Sequence, residues 1–398
     1  MKIVIQKFGG TSLRENEDRR MAAAHVKEKL DQGFYPVVVV SALGRVGDPY
    51  ATDSLLSLTG NVHDQDTGRE RDLISSCGEV IAAVVMSHVL QEEGMAALAL
   101  TGAQAGIITD SNFGNCRIRS INPARILDTL ASGKVPVVAG FQGISTSGEL
   151  TTLGRGGSDT TACYLGAALK ADSIEIYTDV AGVMTGDPRK INQTRIIDQL
   201  SYSEVVEMAY LGARVIHPRA VEIAAEHNIP VKILPNQSGK DGTIIRDFPQ
   251  QQPITGVTSK DRITFVRILP RHELSREQDL QVFQALARAD ISLDFINIRP
   301  QEISFIIDRS CREAAETILK NSGVIYHLQD DYVKISLVGA GMTGQPGVLA
   351  RIVEVLYKNK IDIYETTDSH TTISCLIKAD QEKKALQVLH DTLIAHKI

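Results

Sequence analysis

The sequence is organised around one segment, Leu153-Gly154-Arg155-Gly156-Gly157-Ser158-Asp159-Thr160-Thr161. It runs directly into an apolar stretch, residues 162–169. Glycines let a backbone approach a ligand closely, and the first N–H groups of a following helix point at a bound anion. A glycine-rich turn alone is also compatible with a purely structural role. Because Arg155 and Asp159 lie within this one, we interpret it as a loop that binds a phosphate or a carboxylate.

On both sides of this loop, short apolar runs alternate with longer runs of helical periodicity, up to about residue 245. The predicted strands are residues 1–8, 35–40, 96–100, 135–139, 173–178 and 231–234, and the predicted helices are residues 17–30, 72–90, 123–130, 158–169, 203–211 and 218–227. This alternation is typical of a mainly parallel sheet covered by helices on both faces. In such α/β domains, ligands bind beyond the carboxyl ends of the strands.

Polar and glycine-rich residues follow the predicted strands. They are Lys7-Phe8-Gly9-Gly10, Ser41-Ala42, Thr101-Gly102, Gly140-Phe141 and Thr178-Asp179. Because the ends of parallel strands lie at one edge of a sheet, we expect a single crevice to receive them all. Lys7 and its two glycines do not form a Walker A loop. Lys7 is either a cation at a phosphate or a lysine that snorkels beside a tight turn.

Three other segments also have two interpretations each. Ser41 and Thr52-Asp53 either form turns and cap helices or belong to a binding site. Glu79 lies in a strongly apolar helical run, where it either faces solvent or serves a site. Residues 177–189 contain Asp-Pro and two glycines, which predict a structured loop. The alternative interpretation is a nucleotide-binding loop, in which its polar residues together with Val183 and Met184 contact the adenine and the ribose.

Composition limits the function. The length of 398 residues predicts two or three domains, and the net charge of −6 argues against nucleic acid as the main partner. The five cysteines are scattered and form no C-x-x-C pair, so we expect reduced thiols and assign no metal ligand. The chain starts with a strand-like run instead of a signal peptide and has no apolar stretch of the ~18 residues that span a bilayer. We therefore expect a cytoplasmic protein without a membrane partner.

The last third of the chain is an internal repeat. A polar, proline-bounded segment, residues 247–253, precedes it and is linker-like. The two copies align without a gap at a spacing of 70 residues, as shown by the pairs Ile263/Val333, Val282/Ile352 and Ile303/Ile373. Each copy is predicted to form a β-α-β-β-α-β-like unit. Because one such unit buries little core, we expect the copies to pair.

Three motifs together resemble the signatures of the aspartate kinases, in the amino-acid kinase superfamily. They are Lys7-Phe8-Gly9-Gly10-Thr11-Ser12, residues 152–161 and residues 178–189, in family order and spacing. The resemblance covers the whole chain. It implies an N-terminal three-layer αβα sandwich with a mainly parallel sheet, followed by two ferredoxin-like ACT domains. The implied bounds are residues 1–245 for the kinase domain, 246–261 for a linker and short strand, and 262–328 and 329–398 for the ACT domains.

The resemblance also implies roles for single residues. Lys7 and Asp159 match the positions that serve phosphoryl transfer. The positions that match ATP-binding ones are Lys7, Phe8, Gly9, Gly10, Thr178, Asp179, Met184, Asp187, Arg189 and Arg214. The positions that match aspartate-binding ones are Ser41, Thr52, Glu79, Arg155, Gly156 and Ser158. Many members of the family have a tyrosine at the position of Met184 and a lysine at the position of Arg214. These two differences affect the expected contacts to the base and the phosphates.

The implied reaction moves the γ-phosphoryl group of ATP, with Mg²⁺, to the β-carboxylate of L-aspartate. The product, 4-phospho-L-aspartate, opens lysine, threonine and methionine biosynthesis. A carboxylate with a reference pKa of about 3.9 is ionised at neutral pH, so the nucleophile needs no general base. The reaction needs charge neutralisation and positioning, because two anions must meet. Lys7 and Mg²⁺ would neutralise the charge. Arg155, bound to the α-carboxylate, and Glu79, bound to the α-ammonium, would position the substrate.

ACT domains bind amino acids at dimer interfaces, so the resemblance implies a homodimer that is inhibited by an end-product amino acid. The second copy has the family-like loop Gly339-x-Gly341-x-x-x-Gln345-Pro346-Gly347-Val348, whereas residues 269–273 of the first copy lack the Pro-Gly turn. A short strand near residues 255–258 is expected to complete the second copy. Residues 368–373 resemble the diaminopimelate-inhibited aspartate kinases of spore-forming Gram-positive bacteria.

Two alternatives to a feedback-regulated aspartate kinase are open. A sister kinase of the same superfamily would act on another carboxylate, and Arg155 is the residue that discriminates between the two. A non-enzymatic amino-acid sensor would use an inactive kinase domain. The presence of both Lys7 and Asp159 argues against the sensor.

Overall fold

The computed structural model describes residues 1–59, 68–212, 215–237, 242–248, 253–269, 276–342 and 344–395, and the side chains of residues 276–279 lie outside this description. The chain divides into two compact units. The first comprises Met1–Met184 and Ile196–Pro249, and the second comprises Thr185–Arg195 and Gln250–Ile398.

The first unit is an α/β sandwich. Its strands are β1 (Ile3–Phe8), β2 (Tyr35–Val40), β3 (Ala97–Leu100), β4 (Ile107–Thr109), β5 (Ile118–Ile121), β6 (Val135–Ala139), β7 (Gln142–Ser145), β8 (Leu150–Thr152), β9 (Ser173–Thr178), β10 (Gln199–Leu200), β11 (Val231–Pro235) and β12 (Thr243–Ile245). Its helices are α1 (Asn16–Asp31), α2 (Thr52–Ser57), α3 (Gly68–Glu92), α4 (Ala124–Ala131), α5 (Gly157–Leu169), α6 (Tyr202–Tyr210) and α7 (Pro218–Glu226).

The main sheet has the order β10-β12-β11-β9-β1-β2-β6-β3, and the strands from β11 to β3 are parallel. The four valines that end β2 are fully buried, as expected where helices cover both faces. Alternation along β1 separates those faces: the Gln6 side chain bonds to α1, whereas the Lys7 side chain meets α5. The predicted parallel α/β sandwich is confirmed.

A second, four-stranded sheet with the order β5-β4-β7-β8 lies in the same unit. It was not predicted from the sequence, because its strands are short and several buried positions are polar. Thr109 and Thr151 bond to each other through their hydroxyls at 2.5 Å, and Thr152 ends β8 directly before the glycine loop. The last strand of this sheet, β8, therefore leads directly into the glycine loop, residues 153–161.

Helix α3 corrects one expectation from the sequence. By length and composition alone, it is apolar enough to cross a membrane, whereas no such stretch was expected. Half of its apolar window is buried within the fold. Ala82, Met86 and Leu90 are fully buried, which is also the behaviour of a core helix in an α/β sandwich.

The second unit contains the repeat. Its strands are β13 (Gly256–Lys260), β14 (Ile263–Leu269), β15 (Asp294–Arg299), β16 (Glu302–Asp308), β17 (Ile325–Gln329), β18 (Tyr332–Val338), β19 (Glu365–Asp368) and β20 (Thr372–Lys378), and its helices are α8 (Arg276–Arg288), α9 (Arg312–Asn321), α10 (Val348–Lys358) and α11 (Glu382–His390). The two sheets have the orders β15-β16-β14-β17 and β13-β18-β20-β19. The predicted strand near residues 255–258 is confirmed as β13, which pairs with β18.

The two copies of the repeat also pack against each other, as predicted. Between their sheets lies a small apolar cluster of Ile263, Phe265, Phe295, Ile306, Tyr332 and Leu376. Thr185–Arg195 packs with this unit: Ile191 is buried in the core of the second copy, and the Thr185 hydroxyl lies 2.9 Å from Nε2 of His390. The boundary at residues 245 and 246 remains a prediction.

Candidate active site

Four adjacent parallel strands end at the same edge of the main sheet. Backbone hydrogen bonds continue the sheet beyond these ends, from Gly9 N to Tyr177 O at 3.2 Å, from Ser41 N to Phe8 O at 3.1 Å and from Gly140 N to Val40 O at 3.0 Å. The segments after β9, β1, β2 and β6 are therefore held side by side. This is the edge at which the sequence predicted a crevice.

The turn after β1 requires glycine. A Cβ at Gly10 would collide with the carbonyl oxygens of Ala42 and Gly44, and Gly44 N donates to Gly10 O at 2.9 Å. The backbone after β1 thereby lies against the backbone after β2. Phe8 is fully buried and stacks on Tyr177 with a centroid separation of 4.7 Å, so its side chain is not available to a ligand.

Lys7 and Asp159 form an ion pair at the centre of this edge. The distance from Lys7 Nζ to Asp159 Oδ1 is 2.7 Å, and the two side chains are only 12% and 14% exposed. Asp159 is the third residue of α5, which packs against β1. The interpretation of Lys7 as a snorkelling side chain is therefore wrong. The ammonium group is held at the mouth of the glycine turn, with its charge balanced by one carboxylate.

The glycine loop opens α5 as predicted. Gly154 and Gly156 have φ angles of 73° and 72°, a region that favours glycine. Ser158 is 7% exposed and packs on Gly140, where an added Cβ would lie 2.9 Å from the serine Cβ. Arg155 is exposed and takes part in none of the ion pairs found among the described residues. Its guanidinium is available for an anion.

Glu79 is buried instead of facing solvent, so the surface interpretation is wrong. It is 3% exposed; its Oε1 accepts from Ala42 N at 3.1 Å, and its Oε2 has no hydrogen-bond partner among the described residues. Desolvation raises the pKa of this carboxyl to about 8. A cationic ligand group would donate a hydrogen bond to this buried oxygen and would also compensate the charge of the carboxylate.

The helix that carries Glu79 also approaches the start of α2. A Cβ at Gly78 would lie 2.7 Å from the Ala42 Cβ and 3.1 Å from Tyr50 O. Ala51 is the N-cap residue of α2 and Thr52 its first residue, so Thr52 does not cap this helix. The structure thus brings Ser41, Thr52 and Glu79 to neighbouring segments beside the end of β2.

The residues predicted to bind the nucleotide are distributed over both units. Thr178 ends β9, and its hydroxyl donates to the Asp179 carboxylate at 3.2 Å. Met184 is half-buried and pairs with Ile196 in an isolated bridge. Asp187 and Arg189 belong to the second unit, where Arg189 Nε and Nη2 bind the Asp187 carboxylate at 3.0 and 2.9 Å and lower its pKa. Arg214 lies outside the described residues.

Two residues that were not predicted belong to the same region. Asn236 follows β11; its N–H donates to Thr178 O at 3.1 Å, and its Nδ2 donates to Ser12 O and Asp18 O, both at 3.2 Å. Asn236 lies two residues after the predicted strand 231–234, and a polar residue just beyond a strand is also the signal that identified Ser41. His217 packs so closely on Gly156 that no Cβ fits there, and burial lowers the pKa of its imidazole.

The chain resembles characterised proteins along its whole length. Residues 2–235 match the Amino acid kinase family, and residues 327–391 match an ACT domain family. The chain is 42% identical to Aspartokinase 1 of Bacillus subtilis (strain 168) and 38% identical to the Aspartokinase of Geobacillus stearothermophilus. The alignments cover 98% of this chain and 98% and 97% of those relatives.

Solved structures agree on the fold. E. coli aspartokinase III in complex with aspartate and ADP matches with a TM-score of 0.82 over 98% of this chain and 100% of that chain, at 23% identity. Clostridium acetobutylicum aspartate kinase matches with the same TM-score of 0.82 at 21% identity, over 98% of this chain and 100% of that one. Together with the full-length identity to the Bacillus and Geobacillus proteins, these matches show that the chain belongs to the aspartokinase family.

Proposed function

We propose that this protein transfers the γ-phosphoryl group of ATP to the β-carboxylate of L-aspartate. The observation that carries this assignment is the Lys7–Asp159 ion pair, held between the Gly9-Gly10 turn and the start of α5. The family supports the assignment, since the relatives that align over the full length are aspartokinases.

The reaction joins two groups that repel each other. A β-carboxylate oxygen attacks the γ-phosphorus, the bond from that phosphorus to the bridging oxygen breaks, and ADP leaves with the electron pair. Lys7 compensates the charge on the transferring phosphoryl group, and the Gly9 and Gly10 backbone lies close to the phosphates. Asp159 orients the Lys7 ammonium through their ion pair at 2.7 Å.

The substrate's amino-acid end is bound by opposite charges. Arg155 pairs with the α-carboxylate, and the free oxygen of Glu79 pairs with the α-ammonium. Ser41, Thr52, Gly156 and Ser158 line the same side. Fixing both α-substituents leaves the β-carboxylate as the group that reaches the phosphate, which positions the nucleophile without a general base.

The residues of this site fit a Mg²⁺ ion that binds together with the nucleotide. Within the described part of the chain, no group of three His, Cys, Asp or Glu side chains is arranged to hold a metal ion. Mg²⁺ in kinases is held by one or two carboxylates together with substrate phosphates, and Asp159 is the carboxylate at this position. When bound, Mg²⁺ neutralises part of the phosphate charge.

A coupled ADP-release assay tests the substrate assignment. With ATP and Mg²⁺ present, we expect turnover with L-aspartate and little with L-glutamate or N-acetylglutamate. Turnover with one of the latter two and none with aspartate would assign a sister kinase instead. No turnover with any of the three would support the non-enzymatic sensor.

Glu79→Gln is expected to raise the KM for aspartate by about 10- to 100-fold, since it removes a charge-assisted hydrogen bond. In the unchanged enzyme, this KM should fall between pH 6 and pH 8, because the Glu79 carboxyl has a pKa of about 8 and gains its charge as the pH rises. The variant should lose this part of the pH dependence. Glu92→Gln, at the exposed end of the same helix, is the control. Identical pH profiles for Glu79→Gln and the unchanged enzyme would refute the assignment.

We propose that an end-product amino acid, diaminopimelate, inhibits the enzyme through the second ACT copy. A cleft next to the loop before α10 supports this location; it is lined by Pro253, Ile254, Gln345, Pro346, Val348, Arg351 and Leu393. Inhibition should be measured with diaminopimelate, lysine and threonine, singly and in pairs. Arg351→Ala should weaken inhibition by the active compound, whereas Lys358→Ala on the same helix should not. Equal inhibition of both variants would exclude this cleft.

We propose that the protein is a cytoplasmic homodimer that pairs through its ACT domains. Strand β15 is an edge strand and exposes Ile296 by 51% and Ile298 by 67%, as expected for a surface that pairs with a second copy. The five cysteines are unpaired, in agreement with a reducing compartment. Light scattering should give twice the chain mass of 43.3 kDa. A mass of one chain would exclude the dimer.

A further inference from the structure

Asp72 is a buried carboxylate with no role in the site as described above. It lies near the start of α3 and is only 2% exposed. Both of its oxygens accept from Gly114 N, at 2.9 and 3.0 Å, and Thr152 supplies two more donors, its N–H at 2.7 Å and its hydroxyl at 2.8 Å. Burying a carboxylate costs free energy unless it is fully hydrogen-bonded, so a carboxylate placed here implies a requirement for these contacts.

The two segments that Asp72 holds adjoin the start of the glycine loop. Thr152 immediately precedes that loop, and its carbonyl accepts from Cys116 N at 2.9 Å. Gly154 packs against the other segment, since an added Cβ would lie 3.0 Å from Gly114 O. The backbone that leads into Arg155 is thus fixed on both sides by groups that bond to one carboxylate.

The same helix carries Glu79, seven residues after Asp72. Seven residues are about two helical turns, or ~10.5 Å along the axis, so the two carboxylates lie on one face of α3. Glu79 bonds to the backbone after β2, whereas Asp72 bonds to the backbone before α5. One rigid helix therefore connects the two oppositely charged groups that are assigned to the substrate's α-substituents.

We propose that Asp72 is a positioning residue for aspartate: its buried carboxylate fixes the loop of Arg155 relative to Glu79. This inference rests on the proposed role of Arg155 in binding the α-carboxylate. It predicts that loss of the Asp72 contacts weakens aspartate binding and leaves ATP binding intact, because Lys7, Gly9 and Gly10 are held by other contacts.

Asp72→Asn is the first test. It keeps the size of the side chain, but its amide N–H₂ must face one of the donors that the carboxylate accepts. We expect the KM for aspartate to rise by about 10- to 100-fold, as found for small displacements of positioning groups, with the KM for ATP changed less than about twofold. An unchanged aspartate KM would overturn the proposal. If Asp72→Asn does not fold, Thr152→Val removes only the hydroxyl bond and should raise the same KM by about threefold.

Glu204→Gln is a matched control for burial. Glu204 is also a fully buried carboxylate of the same unit, and it accepts from the N–H and the hydroxyl of Ser201 at 3.0 and 2.7 Å. We expect this variant to lower thermal stability without changing the aspartate KM. A comparable rise in KM would show that any buried carboxylate has this effect and would refute a specific role for Asp72.

The double variant Asp72→Asn/Arg155→Ala separates the two proposals. If Asp72 acts through the loop of Arg155, the double variant should have the aspartate KM of Arg155→Ala alone. If the effects of the two single substitutions on the aspartate KM multiply in the double variant, Asp72 acts elsewhere, and the positioning role is overturned. If Arg155→Ala alone leaves the KM unchanged, the aspartate site itself is wrong, and the Asp72 proposal falls with it.

Discussion

Lys7→Ala is expected to lower kcat by about 10²- to 10³-fold while ATP still binds, because the ammonium stabilises charge that develops on the transferring phosphoryl group. Its position supports this expectation: Lys7 Nζ lies 2.7 Å from Asp159 at the mouth of the Gly9-Gly10 turn. Steady-state kinetics give kcat, and calorimetric titration with an ATP analogue gives the affinity.

Lys29→Ala is the matched control for Lys7. Lys29 is similarly buried and pairs with Glu175 at 2.8 Å in the same unit, but it lies on α1, away from the glycine turn. We expect it to cost stability and to leave kcat nearly unchanged. If Lys7→Ala instead lost ATP affinity in proportion to its loss of kcat, Lys7 would only position the nucleotide.

Arg155→Ala has the second largest expected effect, a rise in the KM for aspartate of about 100-fold with a small change in kcat. A guanidinium and a carboxylate form two parallel charge-assisted hydrogen bonds, each worth at least about 1.5 kcal/mol, and the loss of about 3 kcal/mol corresponds to a rise of about 100-fold. Arg155→Lys keeps the charge but loses the planar donor pair, so its KM should be intermediate.

Arg125→Ala is the control for Arg155, because Arg125 is an exposed arginine on α4 of the same unit. Its aspartate KM should equal that of the unchanged enzyme. An unchanged KM in Arg155→Ala would mean that the α-carboxylate binds elsewhere, and the substrate assignment would then have to be revised.

Local patterns were sufficient to predict the framework of the site. Runs such as the four valines of β2 identify buried parallel strands, and polar residues directly after them identify the edge at which ligands bind. Lys7, Ser41 and Thr178 were located in this way. The 70-residue spacing likewise identified both copies of the repeat, whereas the strand that completes the second copy was expected only from the family resemblance.

The remaining features depend on partners that are distant in the sequence. The burial of Glu79 follows from Ala42, which is 37 residues earlier, and Asp72 bonds to residues 42 and 80 positions later. Judged from its neighbours in the sequence, each acid is an ordinary polar position on a helix. Packing also places Asp187 and Arg189 with the second unit, although the chain runs to them directly from Met184. No local periodicity encodes such relations.

The most direct test of the central claim is a crystal structure with a non-hydrolysable ATP analogue and L-aspartate bound together. We predict the γ-phosphate beside Lys7 Nζ, the α-carboxylate on Arg155, the α-ammonium on Glu79, and a β-carboxylate oxygen in line with the γ-phosphorus. Aspartate bound away from Arg155 and Glu79, or an analogue whose γ-phosphate lies out of reach of Lys7, would contradict the account.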